Sequence, residues 1–100
     1  MRGTAVITNK VIKNKDMENR ELTDVKLKVR TIIENCLQVK LPIDDTVDLI
    51  TLGYIDSLSI LNIAESLEEN FIIEIQSNFM TRDNFSSINN IAHYIIEKYV

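Results

Sequence analysis

Asp56-Ser57-Leu58-Ser59-Ile60-Leu61-Asn62-Ile63-Ala64-Glu65-Ser66-Leu67-Glu68-Glu69-Asn70 is the stretch on which the fold turns. Asp56 is a residue type that caps helices, because its carboxylate accepts a backbone N–H bond from the first turn. A helix is therefore predicted to open at Asp56-Ser57-Leu58 and to close near Asn70. Leu58, Leu61, Ala64 and Leu67 form one apolar stripe, which Ile60, Ile63 and Phe71 widen. On that reading Leu58 faces inward and anchors the helix start. Ser57 falls at the first helical position, over free backbone N–H groups and the positive end of the helix dipole. A phosphodiester attached there would be stabilised. Gly53, just upstream, lets the chain turn sharply before the helix.

Outward from this segment, every other patterned stretch is also helical. Val25, Val29, Ile32, Ile33, Cys36 and Leu37 lie on one helical face, which predicts a helix from about Thr23 to Leu37 capped by Thr23 or Asp24. A long connection, Val39 to Ile55, follows. Pro42 keeps the residue before it out of a helix. Asp44, Asp45 and Asp48 keep the connection solvated. Leu41, Ile43, Val47, Leu49, Ile50 and Leu52 are expected to pack it across the bundle, and long packed loops are often functional. Thr81 to Phe85 reads as a short helical turn. Ile88, Ile91, Ala92, Ile95 and Ile96 form the buried face of a last helix, from about Ser87 to Tyr99, with Ser86 or Ser87 as its cap. Only two Gly and one Pro occur in 100 residues, too few for the turns of a sandwich or barrel. Residues 1–21 show no helical period and read as an extension, expected to be mobile. A short strand at Ala5–Thr8 is conceivable. Residues 22–100 read as a single domain.

The net charge of −4 is unevenly spread. Arg2, Lys10, Lys13 and Lys15 against Asp16 give residues 1–16 a balance of +3, leaving −7 on the rest. An acidic body argues against nucleic acid and for partners with basic surfaces. No apolar run is long enough to span a membrane. Cys36 is the only cysteine, so no internal disulfide can form, which is compatible with a cytoplasmic setting. It falls on the apolar face of the first helix, as a small core residue. His93 is the only histidine, and with one Cys beside it in the inventory no metal site is expected. A hydrolase built on Ser57 would have His93 as its only candidate base, and Gly53 lies too far upstream for a nucleophile elbow.

Gly53-Tyr54-Ile55-Asp56-Ser57-Leu58 resembles the Asp-Ser-Leu motif of acyl and peptidyl carrier proteins. The resemblance continues through Leu67-Glu68-Glu69-Asn70-Phe71-Ile72-Ile73-Glu74-Ile75, similar to the end of that family's second helix. It continues again through Asn84-Phe85-Ser86-Ser87-Ile88, similar to the start of its last helix. It covers roughly residues 22–99. It implies a four-helix bundle with a long loop between helices 1 and 2 and a short third helix. It also implies 4′-phosphopantetheine attached to Ser57, with Asp56 and Leu58 presenting that serine. The chain would then be a non-catalytic, monomeric thioester carrier. Its implied partners are a phosphopantetheinyl transferase, an adenylating acyl or aminoacyl ligase and downstream acyl-transferring enzymes. Glu65, Glu68 and Glu69 are the candidate partner contacts.

Fatty-acid carriers usually place acids in the first turns after the motif. Here those positions are the neutral Ser59 and Asn62, and Glu65 stands where that group tends to be hydrophobic. The Gly-Tyr-Ile run and the longer segment between Ile75 and Phe85 are more similar to discrete carriers of amino acids or specialised acyl groups, including D-alanyl carriers. The alternative reading is an unmodified helical adaptor that binds a partner through the second helix.

Overall fold

The computed structural model describes residues 21–99. All but the last residue of the predicted extension, and the strand considered at Ala5–Thr8, lie outside the described residues. Four helices follow in order: α1 over residues 21–37, α2 Ser57–Phe71, α3 Arg82–Phe85 and α4 Ile88–Tyr99. A single 3-10 turn, Ser77–Phe79, precedes α3 and was not predicted. There is no strand among the described residues. The all-helical carrier-type bundle expected from the sequence is the fold of the described residues.

α1 buries Val29, Ile32 and Ile33, with Val25, Cys36 and Leu37 packed at the edge of the core. Its predicted caps were misplaced. The helix is already under way at Glu21, so Thr23 and Asp24 lie inside it rather than at its start. It ends where Gln38 adopts a left-handed conformation with φ 58°. The N–H groups of Gln38 and Val39 then both reach the Glu34 carbonyl, at 2.7 and 3.3 Å, satisfying one of the end carbonyls.

The connection over residues 38–56 is held from both sides. Arg30, reaching out of α1, donates to the carbonyls of Pro42 at 2.7 Å and Ile43 at 2.9 Å, and to Asp45 Oδ1 at 2.8 Å. Glu34 accepts from the Leu41 N–H at 2.9 Å. At the far end, Leu49 N–H donates to the Ser86 carbonyl at 2.6 Å and Asn89 N–H to the Asp45 carbonyl at 2.9 Å. Between these ties Leu41, Leu49 and Ile55 are buried, and Val47 and Ile50 pack against the core. Two of the apolar residues expected inside are not there: Ile43 is 93% exposed and Leu52 56%. The backbone bonds, not those side chains, fix the path at these two points.

The core lies where α1, α2, α4 and the loop meet. Ile63, Ala64, Leu67, Phe85, Ile88, Ile91 and Ile95 are all buried. Each large aliphatic among them contributes about 1.5–3 kcal/mol over remaining exposed. The α4 cap is Ser87, whose Oγ accepts from Asn90 N–H at 3.1 Å. α3 is capped by Thr81, which accepts from Asn84 N–H. Cys36 Sγ lies 3.2 Å from Ser66 Oγ, a polar contact between α1 and α2.

Candidate functional site

Approach to Ser57 begins at Asp48. Its Oδ1 accepts from the N–H groups of Ile50 and Thr51, each at 3.0 Å, and folds residues 48–53 into a tight turn. Leu52 N–H returns to the Asp48 carbonyl and Gly53 N–H to that of Ile50, both at 3.0 Å. Gly53 leaves the turn at φ +90°, a conformation that side chains resist. Tyr54 and Ile55 N–H both bond the Leu49 carbonyl, and the Ile55 side chain is buried to 2% exposure. Ile55 thus pins the chain one residue before the cap.

Asp56 is extended (φ −124°, ψ −175°), and its Oδ1 accepts from Ser59 N–H at 2.8 Å. That bond, above all, holds its carboxyl below the usual carboxylate range. α2 therefore starts at a fixed point, with Ser57 its first residue and exposed. The N–H groups of the first turn and the positive end of a 15-residue helix lie at its base.

Ser57 stands on the rim of a groove of about 680 Å³. Ile50, Gly53 and Ile55 line it on the loop side, Ile60 and Leu61 on α2, with Met80 just before α3 and Arg82 at its first position. The sequence pattern marks neither Met80 nor Arg82 as part of a site. Nothing local in the sequence marks them, because the groove is lined by three separated segments: the loop, α2 and the residues around the start of α3.

Leu58 departs from expectation. It is 74% exposed, not inward, and Leu61 is 56% exposed. The buried face of α2 consists of Ile63, Ala64 and Leu67, flanked by Ile60 and Phe71. Leu58 and Leu61 instead share the solvent face with Asn62, Glu65 and Glu69. The sequence held two overlapping apolar stripes. The charges on the Leu58 side were the available signal for which one is outside, since a carboxylate resists burial. Ile55 replaces Leu58 as the anchor of the helix start.

The three candidate partner acids divide. Glu65 and Glu69 are exposed on the face that carries Leu58. Glu68 turns back and accepts from Ile75 N–H at 2.8 Å, fastening the segment after α2. His93 is exposed on α4 and lines no part of the Ser57 groove.

Residues 27–95 match the family model described as the phosphopantetheine attachment site. The chain belongs to this family of carrier proteins. No curated protein matches it. Carrier domains of this family bear 4′-phosphopantetheine covalently on a serine. They are not catalytic themselves and carry cargo for enzymes. In general they meet a phosphopantetheinyl transferase and partner enzymes. The residues present in this carrier fit the arm: an exposed serine, a capped helix start beneath it, and an apolar groove beside it with a guanidinium at its edge. No helix among the described residues is long and apolar enough to cross a membrane.

Proposed function

We propose that Ser57 bears the 4′-phosphopantetheine arm. On this reading residues 22–100 form the carrier domain and residues 1–21 an extension to it. One observation carries the assignment: Ser57 is exposed at the first position of a capped helix, on the rim of a groove, inside the matched region. In the modification, a new bond forms between Ser57 Oγ and a phosphorus of coenzyme A. The pyrophosphate P–O bond breaks, adenosine 3′,5′-bisphosphate leaves, and the serine proton passes to the transferase. The terminal thiol of the arm supplies the thioester to the cargo. Asp56 fixes the helix start and so the direction of Ser57 Oγ. Leu58, exposed next to it, is available to the transferase and to later enzymes.

The cargo is an amino acid or a specialised acyl group, loaded by an adenylating ligase, rather than a housekeeping fatty acid. The neutral Ser59 and Asn62 after the motif support this, together with the absence of acids from the first turn of α2. Glu65 and Glu69 are the contacts for basic partner surfaces, while Glu68 serves the fold first. We place the protein as a monomer in the cytoplasm, where coenzyme A and its transferase meet it.

Intact mass after incubation with coenzyme A and a broad-specificity transferase tests the attachment. The expected result is one phosphopantetheine added to the wild type and none to Ser57→Ala. Addition to the alanine variant would place the arm elsewhere, and no addition to either would leave the unmodified adaptor as the better reading. For the cargo, efficient use by fatty-acid synthase enzymes with no loading by adenylating ligases would overturn the assignment.

A further inference from the structure

Arg82 is the one cation among the residues that line the Ser57 groove. It is set in place from behind. Its Nη2 donates to Thr51 Oγ1 at 2.7 Å and to Asp48 Oδ2 at 3.2 Å. Asp48 is itself fixed by the N–H groups of Ile50 and Thr51, and its Oδ2 accepts from Thr51 Oγ1 at 2.9 Å. Both arginine bonds leave from Nη2. The Nε–H and the two Nη1–H donors have no partner among the described residues. The guanidinium is planar, so one held at Nη2 keeps its remaining donors in a common plane. That plane matches the paired oxygens of a phosphate or carboxylate.

The rest of the groove gives this charge little other work. Its floor is apolar, and its one carboxylate, Asp56, is already bonded to Ser59 N–H. The group attached at Ser57 brings negative charge to the same rim. We propose that Arg82 is a positioning residue that holds an anionic oxygen delivered by the group on Ser57. The proposal rests on Ser57 as the attachment point. The oxygen has two possible sources with the same chemistry: the phosphodiester of the arm, or the carboxylate of a dicarboxylic acyl cargo.

The test is the Arg82 Nε–H resonance in ¹⁵N-labelled protein, assigned by its loss in Arg82→Lys. It is recorded for the unmodified chain and for chains loaded by the transferase from coenzyme A, butyryl-coenzyme A and succinyl-coenzyme A. Pairing shifts the resonance and slows its exchange with water several-fold. A change in all three loaded forms assigns the phosphodiester as the partner, whereas a change with succinyl alone assigns the cargo carboxylate. An unchanged resonance in all three overturns the proposal. Mass spectrometry on the same samples separates the two readings. A chain that gains no mass overturns the attachment at Ser57, and this inference with it. One that gains mass while Arg82 is unmoved overturns only the inference.

Discussion

Ile72 ends α2 in a conformation that its side chain opposes. It sits at φ 55°, ψ 52°, with its N–H on the Glu68 carbonyl and Ile73 N–H on the same oxygen at 3.2 Å. This left-handed cap is ordinarily occupied by glycine. For an L-residue the conformation costs about 1–2 kcal/mol, and a β-branched side chain belongs at the upper end. The side chain recovers little of this by packing, because it is 83% exposed. Ile72→Gly removes the steric cost and adds about 0.5–1 kcal/mol of unfolded-chain entropy. The expected net effect is a stabilisation of about 0.5–1.5 kcal/mol. For a domain of this size, 1 kcal/mol raises Tm by about 4–8 °C. Thermal unfolding followed by circular dichroism at 222 nm measures it, with urea unfolding as a second determination. Ile72→Ala keeps a Cβ in the same conformation and should gain clearly less than glycine. Ser57 stands at the other end of a helix about 22 Å long, so transferase loading should be unchanged. A lower Tm for the glycine variant, or equal gains for glycine and alanine, would refute the strain argument.

The other predictions concern the loop, the cap and the exposed face of α2. Leu49→Ala empties a fully buried position whose backbone ties the loop to Ser86, Tyr54 and Ile55. It should cost about 2–5 kcal/mol and slow modification of Ser57, checked by urea unfolding and timed intact-mass assays. Asp56, Asp48 and Asp44 all have carboxyls held below their ordinary values, chiefly by bonds from Ser59 N–H, Thr51 N–H and the Thr46 hydroxyl respectively. The stability they contribute is complete above the unfolded value of about 3.9 and is lost as pH falls through the lower folded values. Melting curves of wild type and Asp56→Asn should therefore converge as the pH is taken down through that window. Convergence on raising the pH instead would contradict the assigned bond. Glu65→Lys with Glu69→Lys should raise KM for basic partner enzymes, most strongly at low salt, with kcat and Tm nearly unchanged.

Much of this architecture is legible in the sequence because it is local. Asp56 and Thr81 declare helix starts through side chains that bond N–H groups in the same turn, and α4 shows one clean apolar face. The cap of α1 was misread because Thr23 and Asp24 suit a helix start equally well wherever the helix begins. Leu58 departs from expectation because two apolar stripes share α2, and only Glu65 and Glu69 beside its own stripe mark that one as the outer. Arg82 was passed over because its partners, Asp48 and Thr51, are remote in the chain and belong to a loop without periodicity. The capped helix start that carries Ser57 is legible because it is built from adjacent residues. The groove beside it is not, because it is assembled from three separated segments.

Arg30 has a consequence for how the molecule is made. Its bonds to the carbonyls of Leu41, Pro42 and Ile43 and to Asp45 span only 11 to 15 residues of chain. Loops of that length close in about 10–100 ns. α1 and the first half of the connection can therefore come together as a local unit before α3 and α4 are in place. The second half of the connection turns on itself locally through Asp48 and Leu49, but its tie to the bundle, Leu49 N–H on the Ser86 carbonyl, waits for the C-terminal half. In hydrogen exchange, the amides around Leu41 should open together with α1, and those from Leu49 to Ile55 together with the α3–α4 junction. Seating of the turn before Ser57 against the bundle is then coupled to completion of the C-terminal half, and on the proposed attachment the transferase meets Ser57 only in a chain that has finished folding.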